Sequence, residues 1–240
     1  MVTMAQPRSP LPWLAVAGTV LLAACSGAPP PTPTSAPTAT ATPAPSPTPL
    51  PPDTLSVGVL GIGIGTFDLA AFPVARLKNE AKYHSAASVM VHFVTRRAGH
   101  TLGSLNSAAV NLGPGETLAV TGDCTDACNN ATSVVVTVAV GSWTTAIGPI
   151  FTTHSAGYAC QPCHSSHGYG SVKGMLRPST PVSAGVAVVG FAVCQSSAGV
   201  ILGGGTEQFI WQAGSSLAVE VPVVLNAAPA SCALGASTGW

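Results

Sequence analysis

From residue 53 onward, short apolar runs alternate with glycine-rich breaks. Val89-Met90-Val91-His92-Phe93-Val94-Thr95 has the two-residue period of a strand: Val89, Val91 and Phe93 fall on one face, Met90 and His92 on the other. Runs rich in Val, Leu, Ile and Thr predict further strands over residues 116–121, 133–140, 186–194, 207–211 and 217–224. No stretch keeps a 3.6-residue period over a helix length. Residues 69–77 are the best short helix candidate, and Pro73 interrupts them.

These segments recur about 100 residues apart. Val89-Met90-Val91-His92-Phe93 lies over Val189-Gly190-Phe191-Ala192-Val193, and Ala98-Gly99 lies over Ala198-Gly199. Pro114-Gly115-Glu116-Thr117-Leu118 lies over Ala213-Gly214-Ser215-Ser216-Leu217. The shared order of strand, glycine turn, strand, glycine turn, strand points to a duplicated unit. Two units of about 90 residues with short, closely spaced strands predict an all-β fold of two tandem immunoglobulin-like β-sandwiches, over 53–150 and 151–240. In the second unit this alignment turns Val189, Phe191 and Val193 inward. Trp143 and Trp211 are expected to pack in a core or between units.

The segments Phe191-Ala192-Val193-Cys194-Gln195, Gly199 and Leu112-Gly113-Pro114-Gly115-Glu116-Thr117 resemble the FxLYD-type domains of many bacterial lipoproteins. The Tyr-Asp that closes the family motif is Cys194-Gln195 in one unit and Arg96-Arg97 in the other. The resemblance implies a β-sandwich working outside the cytoplasm, and it carries over no catalytic residue.

The N-terminus reads differently. Arg8 precedes an apolar run over residues 11–24, and no acid intervenes. The run is shorter than the ~20 residues a bilayer-spanning helix needs, so 1–24 reads as a secretory signal. Leu22-Ala23-Ala24-Cys25 resembles the bacterial lipoprotein signal. That resemblance implies cleavage before Cys25, diacylglycerol on its sulfur and an acyl chain such as palmitate on the new amine. Each buried methylene adds about 0.8 kcal/mol, so such a group holds a chain on the lipid bilayer of the cell or outer membrane. Residues 25–52 follow as a Pro/Thr/Ala-rich linker that holds half of the chain's 22 prolines. Proline fixes φ and removes a donor, so residues 28–52 form an extended spacer of roughly 75 Å at ~3.1 Å per residue.

Composition narrows the function. Only 7% of residues are charged, and the 8 basic and 8 acidic residues cancel. A nucleic-acid partner is excluded, because phosphate contacts need concentrated Lys and Arg. The one adjacent basic pair, Arg96-Arg97, reads as a polar hairpin tip. Aromatics are 5%, so the apolar content is mostly small and β-branched.

Six cysteines follow Cys25: Cys124, Cys128, Cys160, Cys163, Cys194 and Cys232. An even number in an exported chain reads as disulfides, and the economical pairing is Cys124–Cys128, Cys160–Cys163 and Cys194–Cys232. Two other chemistries stay open at the middle pair. Cys160-Gln161-Pro162-Cys163-His164 matches the C-x-x-C-H attachment signature of haem c, with His164 as proximal ligand and Met175 or His154 as distal ligand. Cys160, Cys163, His164, His167 and His154 are also soft and imidazole donors suited to zinc. Asp123, Asp126, Asn129 and Asn130 gather oxygens of the kind calcium takes, or form a polar turn closed by a disulfide. Gly61-Ile62-Gly63-Ile64-Gly65 lacks the lysine and helix of a phosphate loop and reads as a glycine-rich strand or bulge. His84, His92 and His100, eight apart, read as a strand or hairpin face. Neither a G-x-S-x-G elbow nor an H-E-x-x-H motif occurs. The expected role is therefore non-catalytic binding, adhesion or envelope structure, with an uncharged envelope or extracellular partner. A haem-bearing electron carrier is the alternative.

Overall fold

The computed structural model describes residues 52–67, 70–122, 128–160 and 168–238. The described chain is all antiparallel β with no α-helix. The first half contributes β1 (Val57–Phe67), β2 (Ala70–Asn79), β3 (Ser85–Arg97), β4 (His100–Asn106), β5 (Val110–Leu112), β6 (Thr117–Thr121), β7 (Ser133–Ala139) and β8 (Ser142–Thr144). The second contributes β9 (Phe151–Cys160), β10 (Gly168–Pro178), β11 (Ala187–Gln195), β12 (Ile201–Ile210), β13 (Leu217–Leu225) and β14 (Ser231–Thr238). The short helix candidate over 69–77 is, over its described residues from Ala70 on, strand β2, placed between β1 and β6. Its apolar residues meet two different cores, which a helix with one apolar stripe would not serve.

In the first half, the sheet β1-β2-β6 faces the sheet built on β3, which pairs with β4, β5, β7 and β8. Ala75, Leu77, Leu118 and Val120 from one sheet meet Val89, Val91, Phe93, Val110 and Leu112 from the other. Met90 and His92 are exposed, as the alternation requires. β3 serves so many partners because it bends at Ser88, whose φ is 51°. Its register breaks between Ala86 and Val89, and the Ser88 amide donates to Asn111 Oδ1 at 2.8 Å.

The second half is one six-stranded sheet, β14-β11-β12-β13-β10-β9, folded over on itself. β12 and β13 are joined by only two residue pairs, Gly203 with Leu225 and Gly204 with Val224. Either side of that hinge, β9-β10-β13 faces β12-β11-β14 around Val172, Leu176, Val188, Ala192, Trp211, Val221 and Leu234. The outer strands meet where Thr153 Oγ1 donates to the Leu234 carbonyl at 2.7 Å. Trp211 is buried in this core with its ring 5.8 Å from Phe151, and Trp143 packs against the core of the first half.

Six strands of the first half recur in the second, and β5 and β8 have no counterpart there. Order β1-β2-β6 recurs as β9-β10-β13, and β4-β3-β7 recurs as β12-β11-β14. The register repeats as well: Leu77 pairs with Leu118, and Leu176 pairs with Leu217. The hairpin bulge returns at Thr95/Arg96 and at Cys194/Gln195. This pairing corrects the 100-residue offset by one position within β11. Val188, Ala192 and Cys194 face the core of their own half, whereas Phe191 is buried in the first half's core and Val193 in the layer between. The expected inward set of Val189, Phe191 and Val193 therefore points the other way. β11 is apolar on both faces because both are covered, so its run carries no alternation from which to read a register.

The seam between the halves is built on absent side chains. On the second-half side of β1-β2-β6, Val74 and Ala119 meet Val193 and Ile201. Gly63 lies over Ile201, where an added Cβ would come 2.5 Å from its side chain. At Gly65 an added Cβ would stand 2.0 Å from the Val224 carbonyl oxygen. The Gly61–Gly65 run is thus a strand, with a register shift between Val59 and Gly61, and its glycines let two backbones touch. Asn226 locks the contact: its Oδ1 accepts from the Thr66 amide and hydroxyl, each at 2.8 Å, and its Nδ2 donates to the Ile64 carbonyl. Farther along, Asn111 Nδ2 donates to the Thr238 carbonyl at 2.9 Å.

Cys194 and Cys232 are disulfide-bonded directly across the β11–β14 ladder, as the spacing suggested. The bond closes a loop of 38 residues. A Cys194→Ala/Cys232→Ala double variant is expected to lose about 3–4 kcal/mol of unfolding free energy, measured by chemical denaturation under non-reducing conditions. At the seam, Gly65→Ala is expected to cost about 3 kcal/mol through forced backbone separation. Gly157→Ala, where an added Cβ meets nothing within 4 Å, is expected to stay within about 0.5 kcal/mol of the parent.

Candidate functional site

The seam that is tight at Gly65 opens at one end into a cleft. Phe67 ends β1, Phe72 lies on β2, and Thr121 and Gly122 close β6. Across from them stand Tyr169 of β10, Gly204, Gly205 and Thr206 of β12, and Pro222 and Val224 of β13. The cleft holds about 270 Å³. None of these lining residues is charged.

Local sequence explains each wall. Gly205 could not carry a side chain, since its Cβ would fall 1.7 Å from the Pro222 carbonyl oxygen. Gly204 is held as closely against the Ala192 carbonyl. The β12 wall is therefore bare backbone. Phe67 and Tyr169 form the rim, with ring centroids 6.3 Å apart and planes inclined by 52°. They are 45% and 47% exposed, large for aromatic side chains in a chain with so few. Gly168, at φ 118°, sets Tyr169 beside Phe67 and brings its own backbone close to the Phe67 ring. The Thr206 hydroxyl donates to the Gly190 carbonyl at 3.1 Å, so towards the cleft it can only accept. Such an arrangement can bind an uncharged, largely apolar group and orient it with a few hydroxyls. Among the described lining residues, no nucleophile stands paired with a base.

Several sequence candidates fall outside the described residues: Cys25, Cys124, Cys163, His164, His167, Asp123 and Asp126. Cys128 and Cys160 are both disulfide-bonded. Cys160 ends β9 opposite Gly170. Met175 and His154, the two distal-ligand candidates, face each other across the β9–β10 ladder. Met175 is five residues along β10 from Gly170, about 16 Å at 3.3 Å per residue. The fold thus brings Met175 to His154 and keeps both away from Cys160. Among the described residues, no group of three or more His, Cys, Asp or Glu side chains is placed to hold a metal. Asn130 has φ 62° and stands in a turn. The three evenly spaced histidines separate: Nδ1 of His92 lies 2.9 Å from Asn106 Oδ1 across a hairpin, His100 opens β4, and His84 meets Asp53. Arg97-Ala98-Gly99-His100 forms the hairpin tip, with φ of 47° and 83° at the two central residues.

Two carboxyl groups at the other end of the first half have unusual environments. Asp53 receives the Lys82 amide at 2.9 Å and the Tyr83 amide at 2.8 Å, with His84 Nδ1 at 3.0 Å. Mainly through the Lys82 amide, and against partial desolvation, these contacts hold its carboxyl down at about 2. The segment entering the fold is thereby tied to the β2–β3 turn. Asn79, fully buried beside it, satisfies the carbonyls of His84, Leu112 and Gly113 and the amide of Ala81. Glu116 behaves oppositely. Burial pushes its carboxyl up to about 7, although Oε2 accepts from the Gly113 amide at 2.6 Å.

Sequence reasoning did not find the cleft. Its three aromatics sit on three strands, with Tyr169 about a hundred residues from Phe67 and Phe72, and only their scarcity, 6 Phe and 3 Tyr in 240 residues, made any clustering notable. No protein-family model matches the chain, and no curated protein matches it either.

The Glu116 environment sets a pH dependence. The folded carboxyl titrates near 7 and the unfolded one near 4.5, so the folded state holds more protons between these values. Stability is therefore expected to fall as pH rises from about 4.5 to 7 and to level off above that. Glu116→Gln keeps an acceptor for Gly113, removes that slope and raises stability at pH 8 by up to about 3 kcal/mol. Urea titrations of both proteins from pH 4 to 8 check this. A parallel slope in the variant would show that Glu116 is not its source.

Proposed function

We propose that this chain is an exported, lipid-anchored binding protein. Acylated Cys25 holds it on the outer face of a bacterial membrane, and residues 25–52 carry a rigid double β-sandwich clear of the surface. The body then presents its inter-half cleft to an uncharged partner. The observation that carries the binding role is the open cleft rimmed by two half-exposed aromatic rings, with no charged side chain among its described lining residues. Aromatic rings left this exposed at a concave site are costly in a folded surface unless they are covered in use. The engagement of Cys160 and Cys194 in disulfides supports an oxidising location. It also supports a stapled loop over haem or zinc at Cys160, because a disulfide sulfur is neither a thioether nor a metal thiolate.

Two measurements test this. Expressed with its native leader in a bacterium that processes lipoproteins, the full chain is expected to fractionate with membranes and to carry acyl mass on Cys25. Cys25→Ala is expected to move it to the soluble fraction. An unacylated wild-type chain would remove the anchor. For the binding role, a panel of uncharged proline-rich peptides, neutral oligosaccharides and neutral lipids is titrated against the full chain, reading amide shifts at Phe67, Phe72 and Tyr169. At least one class is expected to shift all three saturably. Silence from every class would end the binding reading.

A further inference from the structure

Away from the cleft, a buried carboxyl stands where the two halves are joined. Glu116 lies in the turn between β5 and β6. Its recess is walled by Ser85 at the start of β3, by Gly148 and Pro149, and by Ser237 and Thr238 at the end of β14. Gly148 and Pro149 belong to the crossing from one half to the other. Before them the Ala146 amide donates to Thr144 Oγ1 of the first half at 3.1 Å, and after them the Ile150 amide donates to Ser179 Oγ of the second at 3.0 Å. In the same recess β14 is fastened to the first half, where the Asn111 amide donates to Ser237 Oγ at 2.9 Å. Ile150 also lies on Gly113, whose added Cβ would stand 2.6 Å from the Ile150 side chain. The Gly113 amide is the group that holds Glu116 Oε2.

We propose that Glu116 is a proton-operated latch on this joint: its neutral carboxyl lets the 147–150 crossing and the end of β14 close against the β5–β6 turn, and loss of its proton to bulk water lets them part. The reason is the supply of donors. A carboxylate has about four acceptor sites. Here the Gly113 amide fills one, and the Ser85 hydroxyl, 2% exposed and without a hydrogen-bond partner, is free to serve another. The recess holds about 10 Å³, room for a single water. A neutral carboxyl needs no more than this. An ionised one needs further water, and the recess can admit it only if a wall moves. The crossing and the end of β14 are the walls that come from outside the β5–β6 turn and β3.

No countercharge is placed to relieve the ionised form among the described residues. β5, the 145–150 segment, β8 and β14 carry no group that titrates. The β2–β3 turn brings Lys78, Glu80 and Lys82 to the far side of Pro114 and Gly115, where Lys78 Nζ is paired with Glu80 at 2.8 Å. His84, next to Ser85, is held by Asp53. Burial, opposed only by the Gly113 amide, accordingly pushes the Glu116 carboxyl up to about 7. An opened joint returns it to water, where it titrates near 4.5. The closed form thus holds more protons between these values, so rising pH favours the open form, and the open-to-closed ratio rises about tenfold between pH 6 and pH 8.

The test is amide hydrogen exchange on the full chain at pH 6, 7 and 8, corrected for the intrinsic pH dependence of exchange. Amides in 145–150 and 231–238 are expected to exchange about tenfold faster at pH 8 than at pH 6, while those in 217–225, in the second half's core, stay unchanged. The rise is expected to follow the titration of the Glu116 carboxyl carbon, read by NMR on the same protein. In Glu116→Gln, which keeps an acceptor for Gly113 and cannot ionise, joint exchange is expected to be flat with pH. Flat joint exchange in the wild type, or an equal rise in Glu116→Gln, would overturn the latch. So would a rise shared by 217–225, which would mark loosening of the whole body. Should the variant not fold, the wild type decides alone: a joint whose exchange does not track the carboxyl titration is not latched by it.

Discussion

Everything distinctive in this molecule depends on two backbones touching where side chains are missing. At Gly65 and Gly203 an added Cβ would fall 2.0 Å from the same Val224 carbonyl oxygen. Contact that close is open only to glycine. It draws the first half's β1-β2-β6 sheet onto the hinge of the second half's folded sheet, so that one layer is buried on both faces. Val74 and Ala119 then serve one core while Ala75, Leu77, Leu118 and Val120 serve another. Phe191, a residue of the second half, completes the core of the first. The halves are a duplication in topology and a single body in packing.

The cleft is a by-product of the same constraint. Gly204 and Gly205 are fixed by the carbonyls of Ala192 and Pro222, and a wall without side chains leaves space for whatever Phe67, Phe72 and Tyr169 frame. The strands that create the seam also create the site, and substitutions that loosen one should alter the other. The polar nodes lie away from it. Asp53 and Asn79 fasten the entering chain and the β2–β3 turn, and Glu116 sits near the segment that joins the halves, in a small recess with Ser85, Ser237 and Thr238. The point where the chain enters the fold and the cleft thus lie at separate places on the body.

The two halves differ at equivalent positions. The cross-strand pair Thr95 and Val134 in the first half stands where Cys194 and Cys232 stand in the second. The shared hairpin bulge fixes this equivalence. The second half folds one sheet over a two-pair hinge, and the disulfide secures its last strand to β11 just beyond that hinge. The first half builds its sandwich from two separate sheets, held over a bend at Ser88.

The sequence alone determined the β class, most strand positions and the repeat, because each is written in local terms of period-two alternation and glycine turns; it offered Cys194–Cys232 as the economical pairing, and the structure supplied the bond. Val89, Val91 and Phe93 were legible as core since their strand has one wet face. Tertiary structure alone decided the rest. It set the register of β11, whose two covered faces erase alternation, and it made 70–77 a strand because two cores compete for its side chains. It also decided the purpose of the Gly61–Gly65 run and the meeting of Phe67, Phe72 and Tyr169. Those features exist only when residues more than a hundred positions apart come into contact, and no local pattern records a contact whose essential ingredient is the absence of a side chain.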